Sequence, residues 1–518
     1  MYKPSWLYKY NKREMFTILK DNLGWVIPAL ILSILIPLNT GYEKPLNMAL
    51  TFISLCIARK NKIAFYLTII SFFIICLYIP IGHDFGQISF GYIASAYQTN
   101  KGEMTEFIKG VSSTALLMFS ITVFFLILYV IKGKGFSKKS SVIYLILFCI
   151  INIKSIPARM LVSTIGYSNQ YTAELKSLES QKNIPDDFTT SASSKKYKNI
   201  VVVVGESAGR DYMSLYGYQH DTTPWLKNAP GYFFANYISA APDTYLSLPR
   251  TMAMSNGEDT DIKNNVVALA NKADFNTFWI SNQGYIGEYD TLSTVIAEYA
   301  QHKTFLKKGD YDSNNADDMQ LLNSLEQIVD NESGQKVIFI HMIGSHPDPC
   351  ERLNGYPVNF NVKNNNEINC YLASIQKLDS FIERAVSILK NKGESYSLVY
   401  FSDHGLTVRQ KSRHLIFGQD VQYILFGTDT RSVLHGREFK QNYNAPFFII
   451  ASDILTHNTY YNYLSANNFM AIFEWLAGFS SNKIKPLSPI EHSDENVSIY
   501  DGESIIPYNS LADIEILK

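Results

Sequence analysis

Four stretches of hydrophobic residues in the second half of the chain each end in polar side chains that bind metals or phosphate. The stretches cover residues 199–204, 277–280, 337–341 and 398–401. The polar residues that end or follow them are, in chain order, Glu206, Asn282, His341, His346, Asp403 and His404. Carboxylate oxygens and imidazole nitrogens are ligands of zinc, at about 2.0–2.2 Å. Each residue alone also has a structural explanation, as a helix cap or a core histidine, but their joint occurrence indicates a metal site.

A threonine in the segment 240–250, Ala-Ala-Pro-Asp-Thr-Tyr-Leu-Ser-Leu-Pro-Arg, is the candidate nucleophile. The segment follows a strand-like run over residues 232–238 and predicts a helix that begins near Thr244. The N–H groups of a helix N-terminus attract a phosphate anion, and a metal ion makes a bound hydroxyl easier to deprotonate. Thr244 is then a usable nucleophile near neutral pH. The alternative is that Thr244 only caps the helix.

A sheet of parallel strands is needed to bring these residues together. Helical patterns alternate with the hydrophobic stretches, and one of them consists of Leu372, Ile375, Leu378, Ile382, Val386 and Leu389. Alternating strands and helices predict an α/β sandwich with a mostly parallel sheet over residues 199–518. In open α/β sheets the ligand site lies beyond the carboxyl ends of the strands. The polar residues that follow the strands should therefore converge.

The first third of the chain holds the apolar excess of a composition that is 47% hydrophobic but only 18% charged. Its apolar stretches cover residues 23–40, 45–58, 63–82, 111–131 and 140–153. About 20 apolar residues span a bilayer, so we predict a transmembrane domain of five helices over residues 1–160. A buried soluble helix is the alternative for the second and fifth stretches. The net charge of -1 argues against a nucleic-acid-binding protein.

Basic residues give the orientation of the predicted helices. They cluster before the first apolar stretch, after the second and after the fourth, and the positive-inside rule assigns these breaks to the cytoplasm. Five crossings then place residues after about 160 on the extracytoplasmic side. We predict an interfacial loop at residues 83–109 and a polar linker at residues 161–198.

Two cysteines, Cys350 and Cys370, lie outside the predicted membrane spans. Disulfides persist in oxidising compartments such as the bacterial periplasm. A disulfide between these two residues agrees with the predicted orientation. Two unpaired thiols are the alternative.

Short motifs along the chain form a series. They are Gly205-Glu206-Ser207-Ala208, Ser214-Leu215-Tyr216-Gly217-Tyr218, Thr222-Thr223-Pro224, Thr244 ahead of Ser247-Leu248-Pro249, Gly344-Ser345-His346 and Ser402-Asp403-His404-Gly405. Together with the five predicted spans and Gln98-Thr99-Asn100 in the interfacial loop, this series resembles the phosphoethanolamine transferases of Gram-negative envelopes. These enzymes belong to the alkaline phosphatase and sulfatase superfamily, and the resemblance covers nearly the whole chain.

The resemblance implies an enzyme of the bacterial inner membrane whose catalytic domain lies in the periplasm and contains zinc. The residues that it implies as zinc ligands are Glu206, Thr244, Asp403 and His404. Thr244 would also be the nucleophile that carries phosphoethanolamine. His346 and His414 would contact the phosphoryl group or bind a second zinc ion, and Asn282 would bind the donor head group.

The substrates follow from the same resemblance. The donor would be phosphatidylethanolamine and the acceptor lipopolysaccharide. The segments 216–218 and 279–283 are more similar to the branch that modifies core heptose than to the branch that modifies lipid A. The resemblance therefore favours a core sugar, with lipid A as the next acceptor.

Three other functions agree less well with the sequence. A sulfatase carries its nucleophile in a Cys/Ser-x-Pro-x-Arg signature, and the arginine in Ser247-Leu248-Pro249-Arg250 comes one residue too early. A phosphoglycerol transferase shares the five spans and the threonine, but uses manganese and phosphatidylglycerol. A non-catalytic, membrane-tethered glycan-binding protein would have lost a metal ligand, and the four implied ligands are all present.

Overall fold

The computed structural model of the chain describes residues 12–88, 92–93, 96–97, 104, 108, 111–136, 141–181, 184–191, 195–283, 292–306, 316–410, 415–416, 419–420 and 431–517. The chain divides into two compact units. The first comprises Met1–Ile93, Phe107–Gln170 and Gln410–Thr430, and the second comprises Ala94–Glu106, Tyr171–Arg409 and Arg431–Lys518.

Apolar helices build the first unit. They are α1 (Lys12–Asn39), α2 (Pro45–Ala58), α3 (Lys62–Phe85), α4 (Ser113–Lys132), α5 (Ser141–Asn152) and α6 (Ile156–Gln181), of which α6 contributes residues to both units. Helices α1 to α5 lie on the five apolar stretches, which confirms the predicted helical character of this region. Large side chains such as Ile70, Phe73 and Ile74 are more than half exposed on α3, as expected of a surface that faces lipid.

Length decides which of these helices can cross a bilayer alone. Among the described residues, Lys62–Asp84 and Ser113–Lys132 are long and apolar enough. The pair Val142–Asn152 and Ile156–Ala173, bent by 52°, passes the same test if it forms one broken span. Leu23–Asn39 and Pro45–Ala58 are apolar but shorter. The number of five crossings therefore stays a prediction.

The second unit is built on an eight-stranded sheet. Its strands are β1 (Asn199–Gly205), β2 (Gly231–Ile238), β3 (Asn276–Ser281), β4 (His302–Phe305), β5 (Lys336–His341), β6 (Tyr396–Ser402), β7 (Phe447–Ala451) and β8 (His457–Ser465), in the spatial order β8-β2-β7-β6-β1-β5-β3-β4. Strand β7 is antiparallel to β2 and β6, and the other pairings of this sheet are parallel. The predicted α/β fold with a mostly parallel sheet is confirmed.

Among the described residues, six helices and several short strand pairs complete this unit. The helices are α7 (Thr244–Met252), α8 (Val266–Lys272), α9 (Leu292–Ala297), α10 (Leu321–Asn331), α11 (Asn366–Lys392) and α12 (Phe469–Ala477). The short strand pairs are Thr190–Ser191 with Ser480–Ser481, Ala253–Ser255 with Thr260–Asn265, Thr407–Gln410 with Arg431–Leu434, and Ser498–Tyr500 with Ile505–Pro507. A further pair, Leu415–Ile416 with Gln419–Asp420, belongs to the first unit.

Strand β1 lies at the centre of the sheet, between β5 and β6. Every residue of this strand is buried, because side chains from both of its faces pack against other elements. Val201 and Val203 belong to the core cluster that also holds Leu372 and Ile375 of α11. A run of β-branched residues suits such a doubly covered strand. Packing on both faces thus holds the carboxyl end of β1 in place.

A buried carboxyl group on α12 should make the stability of the protein depend on pH. Burial raises the pKa of Glu474 to about 7, although the neighbouring Ser481 lowers it in part. The folded protein then keeps a proton that the unfolded chain releases above about pH 5, so stability falls as the pH rises from about 5 to 8. We expect Glu474→Gln to stabilise the full chain by about 1–3 kcal/mol near pH 8 and by little near pH 5.

Thermal unfolding of the full chain in detergent, at both pH values, measures this effect. Glu326→Gln, which changes an exposed glutamate, is the matched control and should not alter the pH dependence. If Glu474→Gln changed the melting temperature equally at the two pH values, the raised pKa assigned to Glu474 would be contradicted.

Candidate active site and metal centre

Neighbouring parallel strands bring Glu206, Asp403 and His404 to the same edge of the sheet. Glu206 follows β1 and Asp403 follows β6, and these strands are paired with Gly205 opposite Ser402. His404 is the next residue along the chain. All three side chains are buried. The register of a single strand pair therefore places two carboxylates and one imidazole beside each other.

The Thr244 hydroxyl lies within this group. Its Oγ1 is 2.9 Å from Glu206 Oε2 and 3.0 Å from Glu206 Oε1, and 3.4 Å from His404 Nε2. Helix α7 begins at Thr244, as predicted, and Asp243 caps it by accepting a hydrogen bond from Leu246 N. Because Asp243 supplies the cap, the Thr244 hydroxyl is not needed for that purpose. It is left facing Glu206 and His404.

A strained turn follows β1 and aligns Glu206 with Asp403. Ser207 has a φ of 58°, in the left-handed region that non-glycine residues seldom adopt. Its N–H donates to Asp403 Oδ1 at 2.9 Å, and its hydroxyl donates to Glu206 Oε1 at 2.7 Å. Strained backbone of this kind persists where the surroundings hold it and is common at functional sites.

The donor atoms of Glu206, Asp403 and His404 suit a metal ion. Each residue offers one ligand atom, and these atoms lie within 4.8 Å of one another. Asp403 Oδ1 accepts hydrogen bonds from Ser207 N and His404 N, whereas the buried Asp403 Oδ2 has no hydrogen-bond partner. A buried carboxylate oxygen without a partner is costly. A cation at this point would satisfy it, so the residues fit a bound metal.

The electrostatics of the cluster favour a positive charge between the two carboxylates. Burial and the charge of Glu206 raise the pKa of Asp403 to about 7. Burial opposes charge on His404, yet the charge of Asp403 and the hydrogen bond to Glu206 raise its pKa to about 10. Burial is likewise outweighed at Glu206, where His404 holds the pKa well below its ordinary value. The raised pKa of His404 means that its imidazole binds a proton, which supplies positive charge beside the two carboxylates. A divalent cation would supply positive charge at the same place.

His346 enters the site through a turn that requires glycine. Gly344 has a φ of 54°, and a Cβ at this position would lie 2.6 Å from Glu206 O. Ser345 N donates to the same carbonyl oxygen at 2.9 Å. His346 Nδ1 lies 2.6 Å from Pro347 O, a contact in which Nδ1 is the donor. The Nε2 lone pair of His346 is then available to a ligand.

Another histidine, His435, lies near the cluster of Glu206, Asp403 and His404 and was not predicted from the sequence. The ring of His435 lies 5.1 Å from the ring of His404 and 6.1 Å from that of His346. Burial and the neighbouring histidines lower the pKa of His435 to about 3, which keeps the imidazole neutral. His414, the residue assigned to this role from the sequence, lies outside the described residues.

The signal for His435 is weak but readable. His435-Gly436 follows the short strand Arg431–Leu434, as Asp403-His404-Gly405 follows β6. Four residues are too few to show a clear strand pattern, and 31 positions separate His435 from His404. Attention to a histidine followed by glycine after each hydrophobic run would have found it.

The side chain of Asn282 hydrogen-bonds within the fold, and its assignment to the donor head group stays a prediction. Its Nδ2 donates to Asp318 Oδ1 at 2.8 Å and to Ala316 O, and its Oδ1 accepts from Ala316 N. This buried amide therefore serves the fold. The next residue, Gln283, faces the cluster instead, with Nε2 at 3.2 Å from Glu206 Oε2.

His341, at the end of β5, is a core histidine. Its Nδ1 lies 3.2 Å from Ser281 Oγ, and its ring packs edge-on against Trp279. Burial lowers the pKa of His341 to about 4, so the imidazole is neutral.

Cys350 and Cys370 form a disulfide bond. It joins the short turn Pro349–Arg352 to helix α11. Arg352 Nε, on the same turn, donates to His346 O at 3.2 Å. The disulfide thus secures the chain segment that follows His346.

Comparisons with known proteins agree with this geometry. The sulfatase family matches residues 198–479. The chain is 30% identical over 504 residues to the phosphoethanolamine transferase OpgE of Escherichia coli (strain K12), an alignment that covers 92% of each protein. The sulfatase match extends over more than half of the chain, and the alignment with OpgE extends over nearly all of it.

Two solved structures share the fold. The integral membrane lipooligosaccharide phosphoethanolamine transferase A (EptA) from Neisseria meningitidis aligns with a TM-score of 0.51 and 17% identity, over 76% of this chain and 80% of that one. The C-terminal periplasmic domain of EcEptC from Escherichia coli, in complex with Zn, aligns with a TM-score of 0.51 and 20% identity, over 63% of this chain and 97% of that one.

Among the described residues, two helices of the first unit are long and apolar enough to cross a membrane. The bacterial inner membrane, with the catalytic domain in the periplasm, stays the predicted location. The metal cluster and Thr244 lie within the segment that the sulfatase family matches. The chain therefore belongs to the sulfatase family and, within it, to the phosphoethanolamine transferases.

Proposed function

We propose that this protein transfers phosphoethanolamine from phosphatidylethanolamine to lipopolysaccharide through a covalent intermediate on Thr244. The observation that carries the proposal is the position of the Thr244 hydroxyl, 2.9 Å from Glu206 and 3.4 Å from His404. A hydroxyl beside metal-binding groups at a helix N-terminus is suited to attack phosphorus. Thr244 is half-buried, so a substrate has access to it.

The reaction has two displacement steps. In the first, Thr244 Oγ1 bonds to the phosphorus of phosphatidylethanolamine, and the bond from phosphorus to the glycerol oxygen breaks. The proton lost by Thr244 goes, in net terms, to the departing diacylglycerol. In the second, an acceptor oxygen bonds to phosphorus and the bond to Thr244 breaks, which restores the hydroxyl. Ping-pong kinetics are the expected signature.

The metal is proposed to be zinc, held by Glu206, Asp403, His404 and the oxygen of Thr244. When bound, zinc would lower the pKa of the Thr244 hydroxyl and withdraw electron density from the phosphoryl group. Glu206 accepts the hydrogen bond of Thr244 and so directs its oxygen. The mixed oxygen and nitrogen donor set is one that zinc binds.

His346 and His435 are proposed to contact the phosphoryl group or to bind a second zinc ion. Their rings lie 6.1 Å apart, and His435 is neutral and 5.1 Å from the ring of His404. The neutral His435 can donate one N–H to a phosphoryl oxygen without bringing another charge into the site. His346 already donates its Nδ1–H to Pro347 O, so its Nε2 lone pair suits a metal ion. His414 keeps this role only as a prediction.

A labelled-donor experiment tests the chemistry. The full chain, reconstituted in lipid nanodiscs with zinc, is given phosphatidylethanolamine or phosphatidylglycerol that carries an isotope in the head group. We expect label on the protein, and then on lipopolysaccharide, from phosphatidylethanolamine alone. Label from phosphatidylglycerol alone, with a requirement for manganese, would instead identify a phosphoglycerol transferase.

The acceptor that we favour is a sugar of the lipopolysaccharide core, with heptose first. The segments 216–218 and 279–283, which resemble the core-modifying branch, support this choice over lipid A. A family fold does not specify a substrate, so the acceptor needs its own test.

Mass spectrometry of lipopolysaccharide from a deletion strain and its complemented parent provides that test. Mild acid separates core from lipid A before the measurement. We expect the deletion to remove one phosphoethanolamine from the core fraction and none from lipid A. A loss confined to lipid A would contradict the favoured acceptor and leave the chemistry intact, and a loss confined to other envelope glycans would exclude lipopolysaccharide.

A further inference from the structure

Helix α11 contacts two of the segments that carry active-site residues. Tyr371 accepts a hydrogen bond from Gly209 N at 2.8 Å and donates one to Ser207 O at 3.0 Å. Ser374 Oγ donates to Ser345 Oγ at 2.8 Å. The first contact holds the strained turn beside Glu206, and the second holds the residue that precedes His346.

The start of α11 holds a third segment, the short strand that ends just before His435. Glu367 accepts a hydrogen bond from Val433 N at 3.0 Å, and Ser432 Oγ donates to both of its carboxylate oxygens. Asn365 Nδ2 donates to Arg431 O at 2.6 Å. Three consecutive residues of the strand are therefore bound to the first turn of one helix.

Helix capping does not account for Glu367. Asn365 already caps α11, because its side chain accepts a hydrogen bond from Ile368 N at 3.2 Å. The carboxylate of Glu367 instead points to the strand, where it accepts from a backbone N–H and a hydroxyl together. Charge-assisted hydrogen bonds of this kind are about twice as strong as neutral ones.

We propose that Glu367 is a positioning residue for His435, and through it for the phosphoryl group. Ser432 and Val433 lie three and two residues before His435, and Thr407 Oγ1 donates to Leu434 O at 3.0 Å. With these atoms held, the backbone has little freedom at His435, and its ring stays 5.1 Å from the ring of His404. The catalytic consequence rests on the function proposed above for His435.

A double-mutant cycle in the full chain tests the coupling. Glu367→Ala should lower turnover roughly 10- to 100-fold, the effect of displacing a catalytic group by about 1 Å. In the His435→Ala background the same change should lower turnover less than about twofold, because the imidazole that Glu367 positions is absent. Glu367→Gln, which keeps an acceptor for Val433 N, should recover most of the activity. Glu383→Gln, an exposed glutamate on the same helix, is the control.

Additive effects of Glu367→Ala and His435→Ala on turnover would overturn the proposal, because a general loss of stability acts equally in both backgrounds. Melting temperature and zinc content, measured on all variants, detect such a loss. The expected result is a similar change in melting temperature from Glu367→Ala with and without His435.

A measurement independent of turnover separates this inference from the proposed function. Diethylpyrocarbonate modifies accessible imidazoles, and peptide mass spectrometry reports the rate at each histidine. Glu367→Ala should raise the rate at His435 several-fold and leave the exposed His302 unchanged. An unchanged rate at His435 would overturn the positioning role. If the wild type transfers no phosphoethanolamine, the proposed function fails and this measurement still decides the positioning.

Discussion

Thr244→Ala should abolish the transfer of phosphoethanolamine, with turnover lowered by a factor of about 10³ or more. No other described hydroxyl lies within hydrogen-bond distance of both Glu206 and His404. Intact-mass analysis of the wild type, isolated from membranes, should find phosphoethanolamine on Thr244 in a fraction of the molecules. The variant should lack this mass.

Thr244→Ser is the matched control for this result. It keeps the hydroxyl and removes one methyl group, so we expect partial labelling and reduced but measurable turnover. Full labelling of Thr244→Ala would refute the assignment of the nucleophile. A folded Thr244→Ala protein with its zinc content retained would show that the loss comes from the missing hydroxyl.

The second large effect is expected from Asp403→Ala, which should abolish tight zinc binding. Asp403 supplies an unpartnered buried oxygen toward the cluster, and its other oxygen holds the backbone N–H groups of Ser207 and His404. Removal of Asp403 thus takes away a ligand and the support of two neighbours. Elemental analysis of purified protein should find zinc in the wild type and little in the variant.

His346→Ala and His435→Ala are the matched comparison. Neither residue belongs to the cluster of Glu206, Asp403 and His404, so turnover should fall while the first zinc ion is retained. Unchanged zinc content in Asp403→Ala would contradict the assignment of this ligand. In the wild type, zinc affinity should fall as the pH falls, because protons compete for the same ligands.

Local sequence patterns were enough to predict the fold class and most of the residues that meet at the site. The β-branched run that ends before Glu206 predicts a central strand, since only a strand covered on both faces tolerates it. Asp403 and His404 end another such run, and parallel strands bring their carboxyl ends to one edge. Composition alone predicts the apolar helices of the first third. These inferences need only periodicity and residue type.

Contacts between distant parts of the chain could not be predicted in the same way. A strand alternates its side chains, so a shift of one position at the end of β3 turns Asn282 into the fold and Gln283 toward Glu206. His435 joins the site because Glu367 and Asn365, on another element, hold the short strand before it. Hydrogen bonds between residues more than 60 positions apart leave no periodic trace in the sequence. They arise only when packing of α11 and the sheet has brought both partners together.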